Sequence, residues 1–193
     1  HTTCRRQRQM CIRDSPIPAD TNLIIIPGTK STIADLKFLK YQGWDIDIKA
    51  HYRRGGSILG ICGGYQILGD EIIDDQGYDG TPSKVKGLGL LNVKTKMGKE
   101  KNLGKKEFIS TINGKKISGY EIHLGITSGS DCNNPFAILG NRKDGAISSN
   151  GLVMGTYLHG LFFSDEFRNN FVAKFSSEEK KEDISFHDTI DFI

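Results

Sequence analysis

Apolar runs and amphipathic segments alternate over the first third of the chain. Residues 22–27, NLIIIP, and residues 57–61, SILGI, are unbroken apolar runs typical of buried parallel strands. Between them, residues 31–43 carry apolar side chains mostly at helical spacing, and residues 44–54 predict a second, short helix. A third helix is predicted directly after the second run. This strand–helix order predicts a parallel sheet with helices on its faces.

The middle of the chain has a different pattern. Residues 84–97 and 107–123 predict strands, and Asn113-Gly114 between ISTI and KKIS is a strong hairpin turn signal. A final amphipathic helix is predicted from near Asp165, because phenylalanine recurs there at every fourth residue. Further short strands are predicted at residues 136–139, 146–148 and 152–158. We therefore expect an α/β fold with an added antiparallel hairpin region.

Length and composition describe an ordinary soluble domain. The 193 residues fit one domain, with 37% apolar and 25% charged residues. No apolar run approaches the length needed to cross a bilayer, and the first residues lack the apolar core of a signal peptide. A cytoplasmic protein without a membrane partner is expected.

The net charge of +3 arises from the first 15 residues, HTTCRRQRQMCIRDS. Without their four arginines and one aspartate, 22 basic and 22 acidic residues remain, so no charge argues for a nucleic-acid partner. We expect residues 1–15 to be a non-native segment, with a natural basic arm as the alternative. Residues 16–176 would then form the domain, followed by a charged tail at 177–193.

Two cysteines, Cys62 and Cys132, lie outside that first segment. Two widely separated cysteines form neither a disulfide framework nor a metal cluster, so no metal is expected. Cys62 lies at a strand–helix corner rich in glycine, where a side chain is pushed out at the carboxyl edge of the sheet. The helix dipole would lower the pKa of such a thiol. A reactive nucleophile is favoured over a buried structural cysteine.

A cysteine nucleophile needs a histidine close to it. His159 ends an apolar strand and precedes a glycine, so it should also lie at the edge of the sheet. His123 is a second candidate, whereas His51 is expected on an exposed helix in a surface role. The two other histidines, His1 and His187, lie in the terminal segments. His159 is the preferred base.

Four sequence blocks in this order resemble the class I (triad-type) glutamine amidotransferases: IIIPGTKSTIADLKFLKYQGWD, GICGGYQILG, SGYEIHLG and GTYLHGLF. More narrowly, they resemble the C-terminal amidotransferase domain of the cobyric acid synthases, over residues 22–175. The resemblance implies a flavodoxin-like, mostly parallel central sheet flanked by helices. It also implies hydrolysis of glutamine.

The resemblance assigns roles to individual positions. Cys62 would attack the side-chain amide of glutamine, and His159 would protonate the departing ammonia and then activate water. Backbone N–H groups of Gly63 and of the turn at Gly28 would form the oxyanion hole.

The resemblance also assigns three substrate-binding residues. Gln66 corresponds to a glutamine that helps to hold the substrate, and a solvent-facing helix residue is the alternative. Glu121 and His123 fall in a matching block and are expected near the glutamine pocket. Cross-strand packing is the alternative for both.

One departure concerns the third triad member. Class I enzymes usually have glutamate two residues after the histidine, whereas here Leu161 follows His159-Gly160. The branch of cobyric and cobyrinic acid synthases shares this lack. We therefore expect a Cys–His dyad whose orienting group the sequence does not name.

No phosphate-binding G-x-x-x-x-G-K-[ST] motif occurs in the chain. The resemblance implies that ATP and Mg²⁺ bind a separate synthetase domain or partner chain, and that no cofactor binds here. That domain would use the ammonia to amidate corrinoid carboxylates, converting adenosylcobyrinic acid a,c-diamide to adenosylcobyric acid in cobalamin biosynthesis. Three alternatives stay open: a cobyrinic acid a,c-diamide synthase domain, a glutaminase subunit for Mur-ligase-type cell-wall amidation, and an inactive binding domain.

Overall fold

The computed structural model describes residues 16–101 and 104–176; the segments expected to be a non-native start and a charged tail lie outside them. The helices are α1 (Thr32–Tyr41), α2 (Trp44–Arg53), α3 (Gly63–Leu68) and α4 (Asp165–Ala173). The strands are β1 (Leu23–Ile26), β2 (Ser57–Ile61), β3 (Glu71–Asp74), β4 (Ser83–Lys86), β5 (Lys94–Lys101), β6 (Lys105–Ser110), β7 (Lys116–Glu121), β8 (Leu124–Ser128), β9 (Ala137–Leu139), β10 (Arg142–Asp144), β11 (Ala146–Ile147), β12 (Val153–Thr156) and β13 (Leu158–His159).

The central sheet has the strand order β1-β2-β12-β11. Strand β2 pairs in parallel with both β1 and β12, and the short β11 adds an antiparallel edge. Ile58 and Leu59 are both fully buried, although consecutive strand residues point to opposite faces. The sheet is therefore covered on both sides, and the predicted parallel sheet is confirmed.

Different layers cover the two faces. Helices α1, α2 and α3 pack on the Ile58 face together with β3 and β5. On the Leu59 face lie helix α4 and strands of a five-stranded sheet in the order β10-β9-β6-β7-β13, whose pairs are all antiparallel. Phe167 and Phe171 of α4 are fully buried there, as their four-residue spacing predicts. The antiparallel region is thus larger than one hairpin.

The segment predicted as a strand over residues 84–97 is two strands of a third sheet, ordered β4-β3-β5-β8. Between them, residues 87–93 wrap the end of α3: Leu88 N–H donates to Ile67 O at 2.8 Å, and Leu90 N–H to Leu68 O at 2.9 Å. This chain segment satisfies carbonyl groups that the end of a short helix leaves free. The predicted strand is therefore interrupted because residues 87–93 form hydrogen bonds with the end of α3, a segment that lies earlier in the chain.

The expected surface role of His51 is wrong. The side chain is buried, and Nε2 lies 3.0 Å from the carbonyl oxygen of Ser57 at the start of β2. Gly56 leaves room for the ring, since a Cβ there would come within 2.2 Å of it. His51 joins α2 to the central sheet and lies away from the cysteine corner.

Within the described residues, no helix combines the length and apolar character needed to span a membrane.

Candidate active site

The corner between β2 and α3 is built around Cys62. It has φ 53° and ψ −110°, and no other non-glycine residue within 16–101 and 104–176 has a positive φ. Its N–H donates to Thr156 O at 2.8 Å, which ties the corner to β12. A Cβ on Gly64 would lie 2.0 Å from Ile26 O, so α3 packs directly on the end of β1. The strained backbone conformation is therefore that of Cys62 itself, as at a nucleophile elbow.

The thiol of Cys62 is buried rather than freely exposed. Sγ donates a hydrogen bond to Ile122 O at 3.2 Å. Burial raises the pKa of the Cys62 thiol, and the Gly63 backbone N–H acts in the opposite direction. The expectation of a lowered pKa is wrong, because desolvation outweighs that opposing effect. The side chain of Cys62 is thus favoured as the protonated thiol.

His159 is brought to the same place by β13. Its ring stacks on Tyr120 of the paired strand β7, with centroids 5.3 Å apart and planes 10° apart. Its Nε2 is buried and has no hydrogen-bond partner in the described part of the chain. Leu161, where many class I enzymes have glutamate, is a buried core residue. The ring of His159 thus packs against Tyr120, and Leu161 takes no part in holding it by a hydrogen bond.

Gly28 lies between the two candidate catalytic side chains. A Cβ at Gly28 would lie 3.1 Å from Cε1 of His159 and 3.4 Å from Cβ of Cys62. All three residues line one cavity of about 350 Å³, here called the His159 cavity. Its other walls are Thr29, Lys30, Tyr120 and Ile122. Cys62 and His159, 97 positions apart in the sequence, thus open into a common space that a substrate could enter.

A second cavity of about 360 Å³, here called the Gln66 cavity, shares Cys62 with the first. It is lined by Gln66, Thr32, Asp79, Met97, His123 and Leu124, and by Thr29, Lys30 and Ile122, which line both cavities. The side chain of Gln66 is buried, which excludes the solvent-facing alternative. Cys62 thus stands between a space that contains the candidate base and a space that contains two predicted substrate-binding residues.

The amide group of Gln66 is held on all sides. Its Oε1 accepts from the Thr32 hydroxyl at 3.1 Å, and its Nε2 donates to Leu124 O at 3.0 Å and to the Tyr157 hydroxyl at 3.2 Å. Both N–H groups are used, so only the second lone pair of Oε1 is left for a ligand. The main role of Gln66 here is to fix the walls of its cavity.

Tyr157 is a structural centre of the site that the sequence analysis missed. Its ring stacks on His123, with centroids 3.8 Å apart and planes 19° apart. Nδ1 of His123 lies 3.0 Å from Gly125 O, and burial lowers the pKa of this histidine. His123 is therefore a neutral wall of the Gln66 cavity. The only sequence feature that indicates a place for Tyr157 in the site is its position two residues before His159.

Glu121 is placed elsewhere. It is buried and forms an ion pair with Arg142, and it does not appear in the walls of either cavity described above. Nearby, Asp144 accepts hydrogen bonds from the Thr156 hydroxyl and the Tyr157 N–H, and burial raises the pKa of Asp144 to about 6. These side chains hold the backbone that leads to His159, which matches the packing alternative for Glu121. Arg142 and Asp144 had no sequence signal.

The two predicted oxyanion positions, Gly28 and Gly63, flank the thiol. Gly63 is the first residue of α3, so its N–H has no acceptor one turn back within the helix. A Cβ on Gly63 would lie 2.6 Å from Cγ2 of Thr29, which shows how closely the loop after β1 approaches α3. Among the described residues, no group of three or more His, Cys, Asp or Glu side chains is arranged to hold a metal ion.

Comparison with known families assigns the chain to one of them. A family model described as "CobB/CobQ-like glutamine amidotransferase domain" matches residues 3–167. The chain belongs to this family. A solved structure described as a crystal structure of glutamine amidotransferase aligns with 90% of this chain and 91% of its own, with a TM-score of 0.60 and 18% identity. PurLQS from Thermotoga maritima aligns with 76% of this chain and 71% of its own, with a TM-score of 0.50 and 21% identity. The predicted amidotransferase-like fold is confirmed.

Curated relatives of this amidotransferase domain are more similar in sequence. Cobyric acid synthase of Cereibacter sphaeroides is 54% identical over 157 residues, which cover 81% of this chain and 33% of that protein. Cobyric acid synthase of Rhizobium rhizogenes is 51% identical over 167 residues, covering 86% and 34% respectively. The chain therefore spans about a third of the length of the curated relatives it matches.

Proposed function

We propose that this amidotransferase domain releases ammonia from glutamine through a Cys62–His159 dyad and serves a cobyric acid synthase. The observation that carries the proposal is that both side chains approach Gly28 and line the His159 cavity. A packed structural cysteine would need neither the positive φ nor a histidine across a shared cavity.

The reaction begins with attack of Cys62 Sγ on the side-chain amide carbon of glutamine, while the thiol proton passes to His159. The N–H groups at Gly63 and in the turn at Gly28 stabilise the oxyanion that forms. His159 then protonates the amide nitrogen, the carbon–nitrogen bond breaks, and ammonia leaves behind a glutamyl thioester. Water, deprotonated by His159, hydrolyses the thioester to glutamate and restores the thiol.

Because the pKa of the Cys62 thiol is raised, the role proposed for His159 is to take up the thiol proton. A thiol with an ordinary or raised pKa is mostly protonated near neutral pH, so it needs a base at the moment of attack. The unpartnered Nε2 of His159 is a suitable acceptor, because no protein group competes for it within the described ranges. Stacking on Tyr120 holds the ring without a carboxylate. The Cys62 thiol thus keeps its proton in the resting state and passes it to His159 during attack.

The proposed acceptor is a corrinoid carboxylate on the rest of the synthase. Relatives about half identical to this chain carry the name cobyric acid synthase, which favours it over a cobyrinic acid a,c-diamide synthase. This chain spans about a third of those proteins, which leaves room for a synthetase part that would bind ATP and Mg²⁺. We place the reaction in cobalamin biosynthesis in the cytoplasm.

Labelling by a glutamine-like electrophile tests the nucleophile. The chain treated with 6-diazo-5-oxo-norleucine is expected to gain one covalent label at Cys62, and excess glutamine should slow the labelling. Peptide mass spectrometry locates the label. Cys132→Ser is the matched control and should be labelled like the parent chain, since Cys132 lines neither cavity. Unchanged labelling of Cys62→Ser would contradict the assignment, and an unlabelled parent chain would favour the inactive binding domain.

Ammonia rescue tests the acceptor. The full-length protein is supplied with adenosylcobyrinic acid a,c-diamide, ATP, Mg²⁺ and glutamine, and amide formation is followed by the mass of the corrinoid. Cys62→Ser is expected to abolish amidation with glutamine but to leave amidation with added ammonium chloride intact, because only the ammonia source is lost. If the unmodified protein adds no amide to this corrinoid with either nitrogen source, the proposed acceptor is wrong, whatever the labelling result.

A further inference from the structure

The Gln66 cavity carries two opposite charges that the proposed dyad does not use. Lys30 lies in the loop after β1 and Asp79 in the loop between β3 and β4, and both line the cavity that also contains Cys62. Neither residue forms an ion pair with another residue of the described ranges 16–101 and 104–176. Glutamine carries a carboxylate and an ammonium group at the end opposite its reacting amide. The cavity therefore presents a charge of the opposite sign to each of them.

The Asp79 carboxylate is held in place by backbone groups from two elements. Its oxygens accept from the N–H of Thr32 at 3.1 Å and of Ile33 at 2.7 Å, at the start of α1. Its own N–H donates to the buried carboxylate of Asp74 at 2.8 Å. A carboxylate oxygen can accept more than one hydrogen bond, so Asp79 keeps acceptor capacity towards the cavity. The anion is thus fixed before any ligand arrives.

Lys30 occupies a loop that is fixed in the same way. The Thr29 hydroxyl donates to Asp35 and accepts from Ser31 N–H at 3.1 Å, which holds the backbone on both sides of Lys30. The Lys30 side chain is exposed and lines both the Gln66 cavity and the His159 cavity. A lysine ammonium on a fixed backbone can reach a ligand carboxylate at small entropic cost to the loop.

We infer that Lys30 binds the α-carboxylate and Asp79 binds the α-ammonium of the substrate, so that the Gln66 cavity selects free α-amino acids over simple amides. This inference rests on the proposed glutaminase function. Three uncharged side chains of the same cavity, Met97, Ile122 and Leu124, offer apolar contacts to the methylene groups between the two ends of glutamine. The charged pair holds the far end of the molecule while Cys62 meets the amide. Lys30 and Asp79 are thus specificity-determining residues.

Ligand protection of Cys62 measures this selectivity without turnover. Iodoacetamide, which lacks both head groups, alkylates Cys62 while glutamine, glutaramate or 4-aminobutanamide is titrated as protectant. Glutaramate lacks the α-ammonium group, and 4-aminobutanamide lacks the α-carboxylate. The parent chain is expected to bind glutamine at least about tenfold more tightly than either analogue, as one charged hydrogen bond would give.

Each variant should lose the preference for glutamine over one analogue and keep the preference over the other. Asp79→Asn should bind glutamine and glutaramate alike, and Lys30→Met should bind glutamine and 4-aminobutanamide alike, whereas Lys30→Arg should restore the preference. The matched controls are Asp75→Asn and Lys37→Met, two exposed residues that do not line the Gln66 cavity. For each variant, protection is expressed relative to its own rate of reaction with iodoacetamide alone.

The outcomes separate the two proposals. If glutamine does not protect Cys62 in the parent chain, the proposed glutaminase site fails. If glutamine protects but both variants keep their full discrimination, the site stands and the head-group assignment is overturned. Asp79 also caps α1, and its replacement could unfold the chain. The Lys30 variants then decide, because no hydrogen bond or ion pair within the described residues depends on the Lys30 side chain.

Discussion

Replacement of His159 by alanine is expected to lower the rate of ammonia release from glutamine about a thousandfold, within the range that a general acid–base residue contributes. The thiol of Cys62 has a raised pKa and donates a hydrogen bond to Ile122 O, which is not a base, so the loss of His159 removes the proposed acceptor of the thiol proton. Coupled measurement of ammonia and glutamate at saturating glutamine gives the rate. Protection of Cys62 by glutamine should persist, because His159 does not line the Gln66 cavity.

A second histidine provides the comparison for this result. His51→Ala should lower the midpoint of thermal unfolding, since the ring fills the space beside Gly56 and bonds to Ser57 O. The rate per folded molecule should stay that of the parent, because His51 lines neither cavity of the site. If His159→Ala keeps glutamine hydrolysis within tenfold of the parent, His159 is not the base, and the dyad must be abandoned.

The parts of the fold that the sequence predicts are those in which neighbouring residues decide the outcome. Strand β2 is an unbroken apolar run because both faces of the central sheet are covered there, as Ile58 and Leu59 show. The corner at Cys62 can be predicted from the sequence because its parts, too, are neighbours in the chain. Strand, nucleophile, paired glycines and helix are consecutive in the chain, and Gly64 is demanded by the contact with Ile26 O.

The residues that the sequence analysis missed act through contacts between distant segments. Asp79 caps α1 from 47 positions away, and Tyr157 reaches Gln66 across 91 positions. Arg142 pairs with Glu121 across strands whose order the pattern does not give. Such contacts depend on which loop passes over which helix end, and no local repeat encodes that. The sequence analysis named the candidate pair, Cys62 and His159, but not the residues that hold the surrounding walls in place.

Two predictions failed for identifiable physical reasons. His51 lies one turn after the buried Ile48 on α2, so its spacing alone pointed to the inner face. The nearby charged residues Arg53 and Arg54 instead favoured a position for His51 on the exposed face of the helix. For Cys62, the dipole argument treated the thiol as solvated, whereas the structure buries it against a carbonyl oxygen. Desolvation then decides the direction of the pKa shift.

Replacement of Gly64 by alanine is expected to lower the free energy of unfolding by about 3 kcal/mol, the upper end of overpacking costs. The added methyl group would lie 2.0 Å from Ile26 O, 2.7 Å from Ile26 C and 2.9 Å from Pro27 O. These are backbone atoms, so no side-chain rotation can relieve the clash, and α3 must move away from β1. Urea unfolding followed by circular dichroism measures the change.

The movement of α3 away from β1 should also impair the site. Gly63 is the first residue of α3, and Gly28 lies just after the end of β1, so the distance between them would change. Loss of glutamine protection of Cys62 in the folded fraction of Gly64→Ala would reveal this. Gly98→Ala is the matched control: no atom lies within 4 Å of a Cβ at Gly98, so its stability should stay equal or rise by up to about 1 kcal/mol. Equal stabilities of the Gly64 and Gly98 variants would contradict the close packing of α3 on β1. Close packing is what fixes the strained cysteine at the sheet edge, so a mobile corner could not hold Cys62 between the two cavities.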